Sequence, residues 1–335
     1  MTESVRLSLA ASRAVSDESQ DDRVLPFAVA PLDVRGRIVR LGASLDEILS
    51  KHKYPPPVAR LLGEAAVLTV LLGASLKTAG RFQLQARTDG LVDMVVVDFD
   101  APDHLRAFAR FDAEKLAAAE RGAELLGRGH LAFTIEQGND LSRYQGVVAL
   151  DGQGFEAAAH QYFRQSEQIP TYVRLAVAES MTGANIAWRA GGLMVQFLPT
   201  SPERRRMADL PPGDAPAGTF VPEPVEDDAW VEAKSLAATV EDHELVDPTL
   251  SSERLLYRLF HERGVRVFET QNVRAACRCS RDRIAGMLRS FSPEERREMI
   301  GDDGKIGVAC EFCSEFRVFD PTEFDDDRSA ESGAA

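Results

Sequence analysis

A chain of 335 residues with 44% hydrophobic content is long enough for two domains and apolar enough to fill a sizeable core. Its formal charge of -14 repels nucleic acid and anionic membranes over most of the surface, so binding either would need a local basic patch. The longest apolar run, Ala65 to Leu76, falls short of the roughly 20 residues that span a bilayer, and no signal-like segment precedes it, so a reducing, cytoplasmic setting without a membrane is expected.

Residues 1–22, acidic and Ser-rich toward Asp22, are expected to form a disordered tail. From Val34 to Arg40 the pattern V-R-G-R-I-V-R predicts a strand, and Ser44 with Glu47 reads as a capping box opening a short helix that Pro55 to Pro57 ends. A long helix follows from Pro57 to about Lys77, with Val58, Leu61, Leu62, Ala65, Leu68, Leu72 and Leu76 at helical spacing. The period then changes to two at Phe82, Leu84 and Ala86, and the turn at Thr88 to Gly90 leads into Met94 to Val97, which together read as a β-meander. Further strands are expected at Leu105 to Phe111, His130 to Glu136, Tyr144 to Leu150, Tyr172 to Ala178 and Ile186 to Leu198, with a helix at about Phe155 to Gln165. Strands mostly adjacent in sequence imply an α+β fold, an antiparallel-rich sheet domain with packed helices over residues 23–200.

Residues 201–248 read as a linker, Pro-rich through Pro211, Pro212, Pro216, Pro222 and Pro224, then helical from Asp227 to about Asp242. Trp230, Ala233, Leu236, Ala237 and Val240 share one face of that helix, and Trp230, Leu236 and Val240 are its expected docking residues on the first domain. Residues 249–320 read as a small C-terminal domain. It opens with a helix carrying Leu255, Leu256, Leu259 and Phe260, and Ser280 and Ser292 are candidate caps of two further helices. Residues 321–335 read as a disordered acidic tail.

All four cysteines lie in this last domain, as C-x-C at Cys277 and Cys279 and C-x-x-C at Cys310 and Cys313, with 30 residues between the pairs. Two such pairs suit one tetrahedral Zn²⁺ held by four thiolates, and C-x-C on an extended segment puts both sulfurs on one side. A domain of about 70 residues is marginal alone, and structural zinc contributes on the order of 10 to 16 kcal/mol in finger peptides, so metal loss is expected to unfold it. Arg274, Arg278, Arg281 and Arg283 lie near the first pair, where cations would favour thiolate, although a solvated surface run is an equal reading. Four cysteines allow three disulfide connectivities, and spacing does not choose among them.

C-x-C-S-R at Cys277 to Arg281 and C-x-x-C at Cys310, together with R-Y-Q-G-V-V at Arg143 to Val148, resemble the heat-shock protein 33 family of redox-regulated holdase chaperones. Y-P-x-P-V at Tyr54 to Val58, F-R-Q-S-E-Q-I-P-T at Phe163 to Thr171 and A-G-G-L-M-V-Q at Ala190 to Gln196 extend the resemblance over about residues 24–320. The chain departs from the family pattern in its N-terminal tail, its Pro-rich insertion near 203–225, and Ser314, where glycine is expected after the last cysteine. The resemblance implies a reduced, zinc-bound form that is inactive. Oxidation then pairs Cys277 with Cys279 and Cys310 with Cys313, releases zinc, loosens the linker and exposes apolar surface to unfolding client proteins. Each such local bridge closes only a tiny loop, so the cross-tie between the two segments is lost. The resemblance further implies an ATP-independent holdase with no catalytic residue, a homodimer when oxidised, and transfer of clients to ATP-dependent foldase chaperones.

Two rival readings are a thiol-disulfide oxidoreductase using C-x-x-C, and a static zinc module binding nucleic acid, which the acidic whole disfavours. The histidines His52, His104, His130, His160, His243 and His261 show no metal or triad spacing, and Gly191 and Gly192 lack a phosphate-loop context.

Overall fold

The computed structural model describes residues 5–6, 20–76, 80–120, 122–137, 142–182, 185–199 and 226–324. The Pro-rich stretch holding Arg204 to Arg206 and Pro211 to Pro224 lies outside them, as do most of both expected tails. In chain order the first part comprises β1 (Val5–Arg6), β2 (Arg23–Val29), β3 (Val34–Leu41), α1 (Ala43–Ser50), α2 (Pro56–Gly73), β4 (Gly80–Thr88), β5 (Val92–Asp100) and β6 (His104–Phe111). It continues through α3 (Ala113–Ala118), β7 (Arg128–Gln137), β8 (Ser142–Asp151), α4 (Phe155–Tyr162), β9 (Thr171–Thr182) and β10 (Asn185–Phe197). After residue 225 come α5 (Asp228–Ala238), α6 (Asp242–Val246), α7 (Ser252–Phe260), β11 (Arg266–Val267), β12 (Gln271–Asn272) and β13 (Arg274–Ala275). The chain then forms α8 (Arg281–Arg289), α9 (Pro293–Glu298), β14 (Ile306–Ala309) and β15 (Phe316–Phe319).

The expected α+β architecture is present. One sheet runs β1-β11-β2-β3-β10-β9 with β12 also on β2, a second runs β13-β6-β5-β4-β7-β8, and β14 pairs with β15. Only β13 on β6 is parallel among these pairs. Helix α2 is largely apolar because it is the middle layer, touching β4, β5 and β6 on one side and β3, β9 and β10 on the other. It is the one helix among the described residues long and apolar enough to cross a membrane, yet 78% of it is buried inside the protein.

The first sheet is apolar on both faces. Val24, Val39, Leu41 and Met194 face the core around α2, while Leu25, Phe27, Ile38, Leu193, Val195 and Phe197 face a second core. That second core is closed by Trp230, Ala233 and Ala237 of α5, Leu245 of α6, and Leu255, Leu256, Leu259 and Phe260 of α7.

Several sequence expectations change. Residues 249–275, expected to open the C-terminal domain, instead pack on the first part: α7 joins the second core, β11 and β12 pair with β2, and β13 pairs with β6. The separate small core is Ile284, Ala285, Leu288, Ile306, Phe319 and Phe324. The end of the expected N-terminal tail is structural. Asp22, not a Ser44–Glu47 box, caps α1 by accepting from the Gly42 backbone N–H at 3.0 Å, the Ser44 backbone N–H at 3.1 Å and the Ser44 hydroxyl. Strand β2 goes unread in the sequence because Pro26 interrupts its pattern, yet Pro26 sits opposite Arg37 and its carbonyl accepts from Phe268 N at 3.0 Å. The caps at Ser280 and Ser292 form as expected, the latter as a full capping box with Glu295.

Where α2, α4, β9 and α6 meet, Arg174 bridges Glu156 at 3.6 Å and Asp242 at 2.6 Å. Burial, with the nearby charges of Glu156 and Asp242, pushes the Glu64 carboxyl up to about 7. A carboxyl whose pKa rises on folding costs nothing below its unfolded value near 4.5 and destabilises progressively as pH climbs through 7. Glu64→Gln should therefore stabilise the protein by on the order of 2 kcal/mol at pH 8 and by nothing at pH 4, read as thermal unfolding midpoints at the two pH values.

Candidate metal centre

The parallel pairing of β13 with β6, continued by Ala276 N donating to Leu105 O at 3.0 Å, leads an extended segment carrying Cys277 and Cys279 off the edge of the second sheet. Ser280 then accepts from Arg283 N at 3.1 Å and starts α8, which fixes where the extended segment stops. Cys310 and Cys313 occupy the turn between β14 and β15, closed by Ser314 N to Cys310 O at 2.8 Å and Cys310 N to Glu315 O at 3.0 Å.

The two segments bring the four sulfurs together. Cys277 Sγ lies 3.6 Å from Cys310 Sγ, Cys279 Sγ lies 3.2 Å from Cys313 Sγ, and all four are within 4.8 Å of one another. All four are free, half-buried thiols. Metal–sulfur bonds of about 2.3 Å in a tetrahedron put sulfurs roughly 3.8 Å apart, so this spacing can hold a metal ion.

Burial works to raise Cys277, but hydrogen bonds from the Cys279 backbone N–H and from the other three thiols outweigh it and hold Cys277 below the ordinary thiol range. Burial, joined by its sulfur neighbours, pushes Cys279 up, and burial pushes Cys313 up as well. Thiol ligands lose their protons on binding a divalent ion, whose charge would offset the burial that opposes thiolate at Cys279 and Cys313.

The residues between the cysteines dock the site on the second sheet. Arg278, inside C-x-C, reaches the fully buried carboxylate of Asp98 on β5 at 2.9 Å and that of Asp100 at 3.2 Å. Arg106 of β6 grips the same Asp98 oxygen through Nε at 2.8 Å, and Gln83 donates to the other oxygen at 2.7 Å. Arg106 also hydrogen-bonds Cys277 and lies 3.9 Å over the ring of Phe312, the apolar residue inside C-x-x-C. Phe312 packs near Phe108 at 6.2 Å between centroids. His52 closes the knuckle: its Nε2 is 3.2 Å from Phe312 O and its Nδ1 3.0 Å from the Ser314 hydroxyl, which a neutral ring protonated at Nε2 satisfies at once. Ser314 adopts φ of 56°, the left-handed conformation for which glycine is the usual residue.

Of the arginines near the first pair, only Arg278 joins the site. Arg274 pairs with Asp103 at 2.9 Å, and Arg281 with Glu323 at 2.7 Å and Val318 O at 2.8 Å, while Arg283 is exposed. The cation beside Cys277 is Arg106, remote in sequence and invisible to a reading by proximity. Asp98 left a trace there, as a charge interrupting the apolar run of β5. The linker helix, expected to reach about Asp242, stops at Ala238; Trp230 on it and Val240 just past it are buried and Leu236 is half-buried, with the Trp230 ring 6.2 Å from Phe197 of β10.

Similar proteins converge on one family. The family model described as Hsp33 protein matches residues 22–320. A 33 kDa chaperonin from Caulobacter vibrioides is 46% identical over 307 residues, spanning 90% of this chain and 95% of its own. A 33 kDa chaperonin from Shewanella woodyi is 36% identical over 288 residues, 86% of this chain and 89% of its own. The solved structure of a 33 kDa chaperonin (heat shock protein 33 homolog) from Thermotoga maritima shares the fold with a TM-score of 0.68 at 19% identity, over 91% of this chain and 97% of that chain. With a family match over most of its length and relatives this similar, the chain belongs to the Hsp33 protein family.

Proposed function

We propose that this protein is an ATP-independent holdase chaperone, acting in a reducing, cytoplasmic setting, whose activity is governed by a zinc ion on Cys277, Cys279, Cys310 and Cys313. It binds unfolding proteins rather than catalysing a reaction. The observation that carries the reading is the meeting of four free thiols from two separate segments, at metal spacing, directly beside the contacts that dock those segments on the second sheet. Four soft thiolates select zinc among common cellular cations. Zinc would fix Arg278 and Phe312 in the geometry that engages Asp98, Arg106 and His52.

Oxidation that pairs Cys277 with Cys279 and Cys310 with Cys313 takes two electrons per bridge, frees the ion and removes the tie between the segments. The observed short contacts run across the segments instead, Cys277 to Cys310 and Cys279 to Cys313. Bridges formed along those contacts would preserve the tie, so the local pairing is what makes the site a switch. Beyond it, the apolar outer face of the first sheet is covered by α5, α6 and α7, with Trp230, Leu236 and Val240 helping to hold the linker down. Removing that cover would supply the surface for clients. Dimerisation of the oxidised form and transfer of clients to ATP-dependent foldases complete the proposal. The oxidoreductase alternative is weakened because C-x-x-C sits in a hairpin turn and not at the start of a helix.

Reduced protein should carry one zinc per chain, and peroxide with mild heat should release it in step with the appearance of protection against thermal aggregation; protection with zinc fully retained would overturn the switch. Peptide mapping without reductant should find the local bridges 277–279 and 310–313, and cross-segment bridges would refute the release step. Asp98→Asn leaves two arginines around a neutral group and should weaken docking by about 3 kcal/mol, seen as zinc loss at lower peroxide than in the unaltered chain.

A further inference from the structure

The two glycines of A-G-G-L-M-V-Q serve opposite faces of β10. A Cβ on Gly192 would meet Val67 of α2 at 2.4 Å, whereas on Gly191 its three nearest atoms all belong to Leu245 of α6, the carbonyl oxygen at 2.2 Å. The main chain of α6 therefore lies directly on the sheet at Gly191.

Two arginines gather the carbonyls at the end of that helix. Arg40, opposite Gly191 in register, gives Nη1 to Asp247 O at 2.6 Å and Nη2 to Glu244 O at 2.7 Å. Arg189, two residues before Gly191, gives Nε to Val246 O at 2.9 Å and is held in place by Asp21 at 2.6 Å. Arg40 is 1% exposed, and its Nε finds no hydrogen-bond partner. The fully buried side chain of α6 is Leu245.

A helix ends in carbonyls without intrahelical partners and a partial negative charge, which guanidiniums satisfy well. Gly191, Arg40 and Arg189 thus form a seat that reads main chain, plus one apolar side chain, and is nearly indifferent to sequence. Vacated, it would leave a guanidinium bare on an apolar sheet, a state that favours any replacement source of carbonyls.

We propose that this seat, once α6 leaves it, binds the C-terminal turns of short helical segments in unfolding proteins, α6 being the resident occupant of a client-binding subsite. This rests on the chaperone reading and adds which part of a client is gripped.

Two substitutions separate a client subsite from a simple latch. Leu245→Asp evicts α6 and leaves the seat open, whereas Gly191→Ala evicts α6 and fills the seat with a methyl group. The probe is a fluorescein-labelled peptide spanning residues 239–250, titrated by anisotropy into the reduced full-length variants. Leu245→Asp should bind it at least about tenfold more tightly than Gly191→Ala does, the loss expected when charged hydrogen bonds to carbonyls cannot form. A peptide whose own Leu245 is replaced by Asp should bind neither variant. Leu245→Ala, a smaller perturbation with the same expected result, serves if Leu245→Asp does not fold. Equal peptide affinities would overturn the seat, as would equal protection of a heat-denatured enzyme by the two variants. The expected peptide discrimination with no aggregation protection in any variant would support the seat and sink the chaperone reading instead.

Discussion

A sheet that is apolar on both faces must be covered twice, and the remainder of this structure follows from how the first sheet meets that demand. One face is covered by α2, which is itself enclosed by the second sheet. The other is covered by α5, α6 and α7, elements that follow the 200–225 stretch and lead into the cysteine-bearing segments. The two covers differ in kind. The inner one buries a largely apolar helix between two sheets, while the outer one consists of short helices with a polar side facing water. An apolar face left bare would seek other apolar partners, which would be the physical basis of the holdase activity proposed above.

The four-cysteine cluster is connected to this arrangement through charge as well as chain connectivity. Asp98 is fully buried, and a buried carboxylate is tolerable only when paired and hydrogen-bonded. Arg106 satisfies it from within the sheet, but Arg278 arrives from the C-x-C segment. Phe312 arrives from the other cysteine turn and covers Arg106. Each cysteine pair thus carries one docking residue between its sulfurs. Displacing either pair disturbs the surroundings of a charge that has no access to water, so a local event at sulfur is felt at the edge of the second sheet.

Much of this was legible in the sequence because the signals involved are local. Period-two and period-3.6 patterns marked β3 to β10 and α2, Ser280 and Ser292 marked helix starts, and the two cysteine pairs marked a metal-binding arrangement. Each depends on residues a few positions apart, where chain geometry alone fixes which side chains share a face. The apolar face of the linker helix around Trp230, Ala233 and Ala237 was legible for the same reason, although the helix stops at Ala238.

What tertiary structure decided lies in contacts between distant positions. Asp22 reaches 22 residues ahead to cap α1, displacing the local candidate Glu47, because a carboxylate held by the sheet satisfies several orphan N–H groups at once. Arg278 meets Asp98 across 180 residues, and His52 meets Phe312 across 260. Residues 249–275 joined the first part because β2 and β6 offered open edges that short strands could fill, a vacancy no sequence window reveals. The sequence alone marked most elements of the first part and the four cysteines that come together. Which remote charges surround those cysteines, and which carbonyls rest on Gly191, was decided by the packing of two sheets about one helix.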